Sequence, residues 1–122
     1  MTPTIVLRGD RLLLVTGSPG GPRIISTVLL SILNVVDYEM DVMASVSAPR
    51  IHHQWQPDAL VVERAIAEDV LAGLRERGHQ VEVSRDDWSS AQALRYQADT
   101  GWYTGGSDPR SDGLALGPKL KE

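Results

Sequence analysis

Residues 15–25 read V-T-G-S-P-G-G-P-R-I-I, and this stretch decides how the first half of the chain folds. Residues that favour strands precede its glycines and prolines, and apolar residues at helical spacing follow them. We therefore predict a strand that passes through a tight turn into a helix. Pro22 suits the first helical turn because that position needs no N–H partner. Such a turn exposes unpaired backbone N–H groups at the start of a helix, where an anion is favoured.

Gly20 and Gly21 lie at the centre of this predicted anion site. Two consecutive glycines let a ligand approach the backbone closely and permit φ values that other residues resist. The same geometry serves a bound phosphate or the oxyanion of an acyl-transfer intermediate, and the spacing favours neither. It is not the phosphate loop G-x-x-x-x-G-K-[ST], because no lysine follows. A simple connection with glycines for tight packing is the third interpretation, and these residues alone favour it.

The composition is that of one small globular domain. The chain has 122 residues, of which 42% are hydrophobic and 23% are charged, and its formal net charge is -4. This acidic balance argues against a nucleic-acid binder, which needs a clustered basic face. The absence of cysteine excludes disulfides, thiolate metal sites and cysteine nucleophiles. No apolar run approaches the roughly 20 residues that span a bilayer, so no membrane span is predicted.

The hydrophobic periodicity predicts an α+β fold with mostly antiparallel strands and two main helices. The helices are predicted at 24–36 and 66–77, with a shorter helical piece at 41–46. A loop is predicted at 105–113. Extended segments, which we expect to form five or six strands, are predicted at 4–8, 12–16, 52–55, 59–63, 80–84, 91–97 and 101–104.

Several linked motifs along the chain resemble the gamma-glutamyltranspeptidase family. They are M-T-P-T-I-V at 1–6, V-T-G-S-P-G-G-P-R-I-I at 15–25, N-V-V-D-Y at 34–38, A-P-R-I-H-H-Q-W at 48–55, P-D at 57–58, R-G-H at 77–79 and S-D-P-R-S-D-G at 107–113. Their order and spacing are similar to those of the C-terminal part of that family's small subunit, over nearly the whole chain up to about Gly117. Because several motifs agree, the resemblance is more specific than a lone glycine pair.

The resemblance implies an N-terminal-nucleophile hydrolase. In this family a precursor cuts itself to expose a threonine, whose hydroxyl attacks a γ-glutamyl amide such as that of glutathione. The γ-glutamyl group then passes to water or to an amino-acid or peptide acceptor. The implied fold is part of an αββα sandwich, in which two antiparallel sheets stack between helical layers. The implied catalytic and substrate-binding residues are Gly20 and Gly21, whose N–H groups form the family's oxyanion hole, and no cofactor or metal is implied.

The same resemblance implies that other parts of the site lie outside this sequence. The threonine, a serine pair and the groups that hold the substrate's α-amino end would fall before Met1, and the arginine for the α-carboxylate belongs to the large subunit. The implied partners are the large subunit, the remainder of the small subunit, and glutathione or another γ-glutamyl compound. We expect residues 1–117 to be the C-terminal portion of a small subunit and residues 118–122 to be a solvated tail.

The chain alone is expected to be inactive because it lacks the nucleophile. A fragment of such a sandwich leaves apolar faces uncovered, so we also expect it to self-associate or to need the missing portion. Two alternatives stay open: a stand-alone, inactive remnant that acts as a binding module, and a piece of a related cephalosporin acylase. Bacterial members of the family are commonly periplasmic or secreted, and the chain is expected to share that location only within a full precursor.

Other polar residues are assigned structural roles. His52 and His53 invite a metal interpretation, but adjacent residues of a strand point to opposite faces, so a structural role is favoured. Ser18, Ser107 and Ser111 lie near glycines, yet no serine has an evident histidine and acid beside it.

The D-P-R-S-D motif is expected to fix its own loop. Asp108, Arg110 and Asp112 are assigned to an internal Asp–Arg pair rather than to substrate binding. The tryptophans are assigned to the core or to an interface, since they are not spaced along one face: Trp55, Trp88 and Trp102.

Overall fold

The computed structural model describes residues 3–117, which form two β-sheets and three α-helices. The strands are β1 (Thr4–Arg8), β2 (Arg11–Gly17), β3 (Ile51–His52), β4 (Leu60–Val62), β5 (Val81–Val83), β6 (Gln92–Gln97) and β7 (Trp102–Ser107). The helices are α1 (Ile24–Val36), α2 (Val42–Ser47) and α3 (Glu68–Glu76), and a 3-10 turn (Gly21–Arg23) precedes α1. Among residues 3–117, no helix is long and apolar enough to cross a membrane.

The first sheet has four antiparallel strands in the order β1-β2-β6-β7. β1 and β2 form a hairpin, whose turn contains Gly9 at a φ of +61°. The second sheet has three strands, in which β3 pairs antiparallel and β5 pairs parallel with β4. The parallel pair is possible because α3 provides the crossover between β4 and β5.

α1 and α2 cover one face of the four-stranded sheet. Thr16, Ala93 and Gly106 are neighbours on adjacent strands, and all three are buried. A Cβ atom at Gly106 would stand 2.8 Å from the Val42 carbonyl oxygen, so only glycine lets α2 approach β7 this closely. The main core lies on this side of the sheet and contains Leu13, Leu14, Val35, Val42, Val46, Ala91 and Ala93.

The opposite face of this sheet is apolar and open. Ile5, Val15, Leu94 and Gly105 are paired across its strands, and each is adjacent in sequence to a residue that faces the helices. Ile5 is 66% exposed and Leu94 is 38% exposed. A groove of about 930 Å³ lies here, with Trp102 among its lining residues. The expected self-association is consistent with this open face and stays a prediction.

The predicted α+β class, the mostly antiparallel strands and the two longer helices are confirmed. The shorter helical piece forms α2, which starts where predicted because the Asp41 carboxylate caps it by accepting a hydrogen bond of 2.8 Å from the Ala44 N–H. Residues 3–117 contain seven strands rather than five or six, because each predicted extended segment forms at least a short strand.

Two predicted boundaries are wrong. The extended segment at 52–55 does not persist as a strand, because β3 ends at His52 and Trp55 adopts a left-handed φ of +74°. The loop predicted from Gly105 instead continues β7, because Gly105 and Gly106 pair with Leu94 and Ala93 on β6. Glycines inside a strand mark a close approach of another part of the chain, which is α2 at Gly106 and Ala115 at Gly105.

Candidate functional site

The strand-to-helix turn forms as predicted, between β2 and the 3-10 turn that leads into α1. Gly17 ends the strand, and Ser18 and Pro19 follow it. Gly20 has a φ of +135° and Gly21 a φ of +59°, in a region that other residues rarely adopt. The glycine pair, Gly20 and Gly21, is therefore needed primarily because glycine tolerates the backbone conformation at both positions.

The N–H groups of the glycine pair have no acceptor within residues 3–117. The carbonyl groups of the same two peptide units do have partners. The Pro19 carbonyl accepts a hydrogen bond of 2.7 Å from Ser18 Oγ, and the Gly20 carbonyl accepts one of 3.3 Å from the Arg23 N–H. The turn thus presents two adjacent backbone donors at the start of a helix, an arrangement that favours an anion.

A second segment, residues 88–91, packs directly against Gly20, the first residue of the glycine pair. Ser89 adopts a left-handed φ of +62° and its side chain meets Gly20. A Cβ atom added at Gly20 would clash with the Ser89 hydroxyl and would lie 3.1 Å from the Ser89 Cβ. The Ser90 N–H donates a hydrogen bond of 3.2 Å to Ser18 Oγ. The 88–91 segment therefore confines the glycine pair from one side, at Gly20.

Four charged residues form a buried charge cluster beside the 88–91 segment: Arg50, Glu63, Asp108 and Arg110. Arg50 pairs with Asp108, and Arg110 pairs with Asp108 at 3.0 Å and with Glu63 at 2.6 Å. The side chains are 3% exposed for Arg50, 0% for Asp108 and 1% for Glu63. Two cations and two anions balance, so the cluster buries no net charge.

The buried charge cluster holds both ends of the 88–91 segment. Arg50 Nη1 donates a hydrogen bond of 2.7 Å to the Trp88 carbonyl. The Ala91 N–H donates one of 2.7 Å to Asp108 Oδ2. The segment that confines the glycine pair is therefore fixed by charge-assisted hydrogen bonds, which are stronger than neutral ones.

The electrostatics favour the charged forms of the cluster. Burial alone raises the pKa of the Asp108 carboxyl, but hydrogen bonds from the Arg50 guanidinium, two backbone N–H groups and the Arg110 guanidinium outweigh burial and leave this pKa below its ordinary value. Burial alone lowers the pKa of Arg110, but the hydrogen bonds and charges of Glu63 and Asp108 raise it by more. Asp108 and Arg110 are therefore both ionised at neutral pH.

The predicted pair of Asp108 and Arg110 is confirmed at 3.0 Å, although it belongs to a larger cluster. Arg50 and Glu63 escape sequence-based detection because their partners lie 58 and 47 residues away along the chain. One signal for Glu63 is present in the sequence, since it directly follows the apolar strand β4. A carboxylate carried into the core by such a strand is costly unless a cation meets it.

Ser26 has a histidine partner, but no acid among residues 3–117 accompanies the pair. Ser26 Oγ and His52 Nδ1 share a hydrogen bond of 2.8 Å, which joins the first turn of α1 to β3. The other ring nitrogen of His52 contacts Gln54 Oε1 at 3.1 Å, an amide where a hydrolase triad has a carboxylate. His53 instead meets the exposed Asp58 at 3.1 Å, so the two imidazoles have separate partners.

The other predicted candidates lie around the turn. Ser111 Oγ shares a hydrogen bond with Ser90 Oγ, which ties the D-P-R-S-D loop to the 88–91 segment. Ser107 Oγ is buried without a hydrogen-bond partner in the part of the chain that the structure describes. Asp112 is exposed.

The three tryptophans divide between core and surface. Trp88 is 6% exposed, and the Arg23 guanidinium carbon lies 4.6 Å from its ring centre, a cation–π distance. Trp55 and Trp102 are 75% and 58% exposed, so a core assignment is wrong for both. Their assignment to an interface stays a prediction.

Alanine substitutions at the glycine pair separate the effect of close packing on stability from the effect of backbone conformation. Gly20→Ala is expected to lower the free energy of unfolding by about 3 kcal/mol, because its methyl group meets Ser89 at an unfavourable φ. Gly21→Ala is the matched control. Its free energy of unfolding should fall by only about 1 kcal/mol, because nothing lies within 4 Å of an added Cβ there and the cost comes from the φ alone. Denaturant unfolding measures both, and equal losses would contradict the packing of Ser89 on Gly20.

The buried charge cluster predicts an acid-sensitive term in stability. The lowered pKa of Asp108 contributes stability that is complete above the ordinary carboxyl pKa of about 3.9 and is lost as the pH falls through the folded value. The melting temperature should therefore fall below about pH 4 in the unsubstituted chain, and by less in Asp108→Asn, which is already destabilised at neutral pH. Asp86→Asn, at an exposed turn, is the control and should keep the full acid dependence. An unchanged acid dependence in Asp108→Asn would refute this role of Asp108.

Comparisons with known proteins agree with the geometry. The family model for gamma-glutamyltranspeptidase matches residues 1–117. The glutathione hydrolase proenzyme of Escherichia coli is 45% identical over 118 residues, which are 96% of this chain and 20% of that protein. The chain thus spans about a fifth of the length of this curated relative.

Solved structures of related proteins also match the fold closely. The gamma-glutamyltranspeptidase of Pseudomonas nitroreducens superposes with a TM-score of 0.85 at 30% identity, over 98% of this chain and 62% of that one. The cephalosporin acylase of Bacillus halodurans superposes with a TM-score of 0.84 at 25% identity, over 92% of this chain and 21% of that one. The architecture is part of the N-terminal-nucleophile hydrolase fold. From the family match and these likenesses, the chain belongs to the gamma-glutamyltranspeptidase family.

Proposed function

We propose that this chain supplies the oxyanion hole of a gamma-glutamyltransferase or glutathione hydrolase, through the N–H groups of Gly20 and Gly21. One observation carries the proposal: both N–H groups lack an acceptor within residues 3–117, while hydrogen bonds hold the carbonyls of their peptide units. The reaction class is supported by the relatives named glutathione hydrolase proenzyme in Escherichia coli and Bacillus subtilis.

The reaction begins when a threonine hydroxyl, supplied by a portion of the enzyme outside this chain, attacks the γ-carbonyl carbon of the substrate. The new C–O bond turns the carbonyl oxygen into an oxyanion, which accepts hydrogen bonds from Gly20 and Gly21. The C–N bond then breaks, the amine leaves with a proton, and a γ-glutamyl ester remains on the threonine. Water or an acceptor amine attacks this ester through a second oxyanion at the same place and regenerates the hydroxyl.

Backbone donors suit this task because they need not reorganise during the reaction. Removal of one oxyanion donor from a hydrolase costs about 3 kcal/mol of transition-state stabilisation, so two such donors are a large part of catalysis. Their benefit depends on a fixed direction, since the donors must point at the oxyanion before it forms. The packing of Ser89 on Gly20 and the hydrogen bond from the Ser90 N–H to Ser18 support that rigidity.

The rest of the enzyme is proposed to come from its partners. Residues 1–117 act as the C-terminal portion of a small subunit, whose remainder and large subunit bring the nucleophile and the contacts to the γ-glutamyl group. The tail predicted at residues 118–122 lies outside the described residues. The open apolar face of the four-stranded sheet supports such an assembly. The location is periplasmic or extracellular when the chain is made within a full precursor.

Complementation tests the proposal. The chain is co-expressed with the missing portion of a family enzyme, assembly is verified by co-elution, and γ-glutamyl-anilide cleavage is measured. Cleavage is expected only in the complex, because neither part holds both the nucleophile and the oxyanion donors. The missing portion alone is the control. A verified complex that leaves the anilide intact would overturn the proposal, and cleavage of a cephalosporin side chain instead would reassign the substrate.

A further inference from the structure

We propose that Ser18 is a positioning residue, whose buried hydroxyl sets the direction of the Gly20 N–H. This inference rests on the proposed function and adds to it a side chain on which the backbone donors depend. Ser18 is 0% exposed, and it lies at the end of β2 immediately before the turn. Both hydrogen-bonding roles of its hydroxyl are used, because Ser18 Oγ donates to the Pro19 carbonyl at 2.7 Å and accepts from the Ser90 N–H at 3.2 Å.

The planarity of the peptide bond carries the effect from Ser18 to Gly20. The Pro19 carbonyl and the Gly20 N–H belong to one trans peptide unit, in which C=O and N–H point in opposite directions. The Ser18 hydroxyl holds the carbonyl on the buried side of this unit. The N–H is therefore directed to the other side, where no acceptor from residues 3–117 reaches it.

Without the Ser18 hydroxyl this peptide unit is poorly constrained by its own chain. Rotation of the whole unit changes ψ of Pro19 and φ of Gly20. The proline ring fixes φ but leaves ψ free, and glycine accepts both signs of φ. A rotated unit would place a carbonyl oxygen where the oxyanion hole needs an N–H, and like charge would then oppose the developing oxyanion.

The Ser18 hydroxyl is itself held by a fixed partner. Ser90 lies in the 88–91 segment, whose ends are bound by Arg50 and Asp108 of the buried charge cluster. The second peptide unit of the site differs, since its carbonyl, that of Gly20, accepts from the backbone N–H of Arg23. No side-chain substitution removes that backbone bond. Substitution of Ser18 is therefore the direct way to test what sets the direction of the Gly20 N–H.

Ser18→Ala is to be compared with Ser45→Ala in the complemented enzyme. Ser45 is 4% exposed and donates a hydrogen bond of 2.9 Å to the Ser31 carbonyl, so the control also loses one buried serine-to-carbonyl bond, at the contact between α1 and α2. Ser18→Ala is expected to lower kcat for γ-glutamyl-anilide about tenfold with KM changed less than about twofold, because the donor acts on the transition state. Ser45→Ala should lower the melting temperature but leave kcat and KM unchanged.

Ser18→Cys keeps the test informative if the alanine variant fails to fold, because a thiol occupies a similar volume but is a weak hydrogen-bond donor. It should also lower kcat. Equal kcat values for the Ser18 and Ser45 variants, or a loss confined to KM, would overturn the positioning role. If the unsubstituted complex itself is silent, the proposed function has failed. The Gly20 amide resonance then decides the positioning claim, which requires a shift in Ser18→Ala and none in Ser45→Ala.

Discussion

The pairing of Arg50 and Arg110 with Asp108 and Glu63 is the constraint on which the rest of the structure depends. These four charges lie in the interior, where an ion is tolerated only when its partners and hydrogen bonds are complete. Their partners come from separate parts of the chain. Arg50 donates to the Val46 carbonyl at the end of α2 and to the Trp88 carbonyl, and Glu63 follows β4. Removal of any one member leaves an uncompensated net charge in the interior, at a cost of about 3 to 5 kcal/mol.

From this cluster a short series of contacts reaches the glycine pair. Asp108 and Arg50 fix the 88–91 segment, Ser89 of that segment packs on Gly20, and the Ser90 N–H holds the Ser18 hydroxyl. Ionic and hydrogen-bonded contacts thus define the position of two backbone donors that have no side chains of their own. The arrangement explains how the proposed oxyanion hole, made only of backbone N–H groups, can be rigid enough for electrostatic stabilisation of a transition state.

Much of this fold could be predicted from the sequence because the relevant signals are local. Helical spacing, the Asp41 cap and the glycine-rich turn each act within a few residues, and they predicted α1, α2 and the strand-to-helix connection. Gly20 and Gly21 could be predicted as the centre of this turn for the same reason. The sequence predicts β7 too short because Gly105 and Gly106 resemble loop residues, whereas Gly106 is required by the approach of α2 and Gly105 by that of Ala115.

The parts that could not be predicted depend on contacts across long separations. Arg50 meets Asp108 over 58 residues, and the Ser90 N–H meets Ser18 over 72 residues. The hydrogen bond between Ser26 and His52 also joins distant parts of the chain, α1 and β3, and no periodicity in either neighbourhood indicates it. Such pairs leave no local pattern, because each residue alone is an ordinary serine, histidine or arginine in a mixed sequence.

The most direct test of the account is a crystal structure of the complemented enzyme with a γ-glutamyl transition-state mimic bound to the nucleophile. We predict that the oxyanion of the mimic lies about 2.7 to 3.1 Å from both the Gly20 and the Gly21 nitrogen atoms. We also predict that the Pro19 carbonyl still accepts the hydrogen bond from Ser18. An oxyanion held by other donors, more than about 4 Å from both glycine nitrogens, would contradict the central claim.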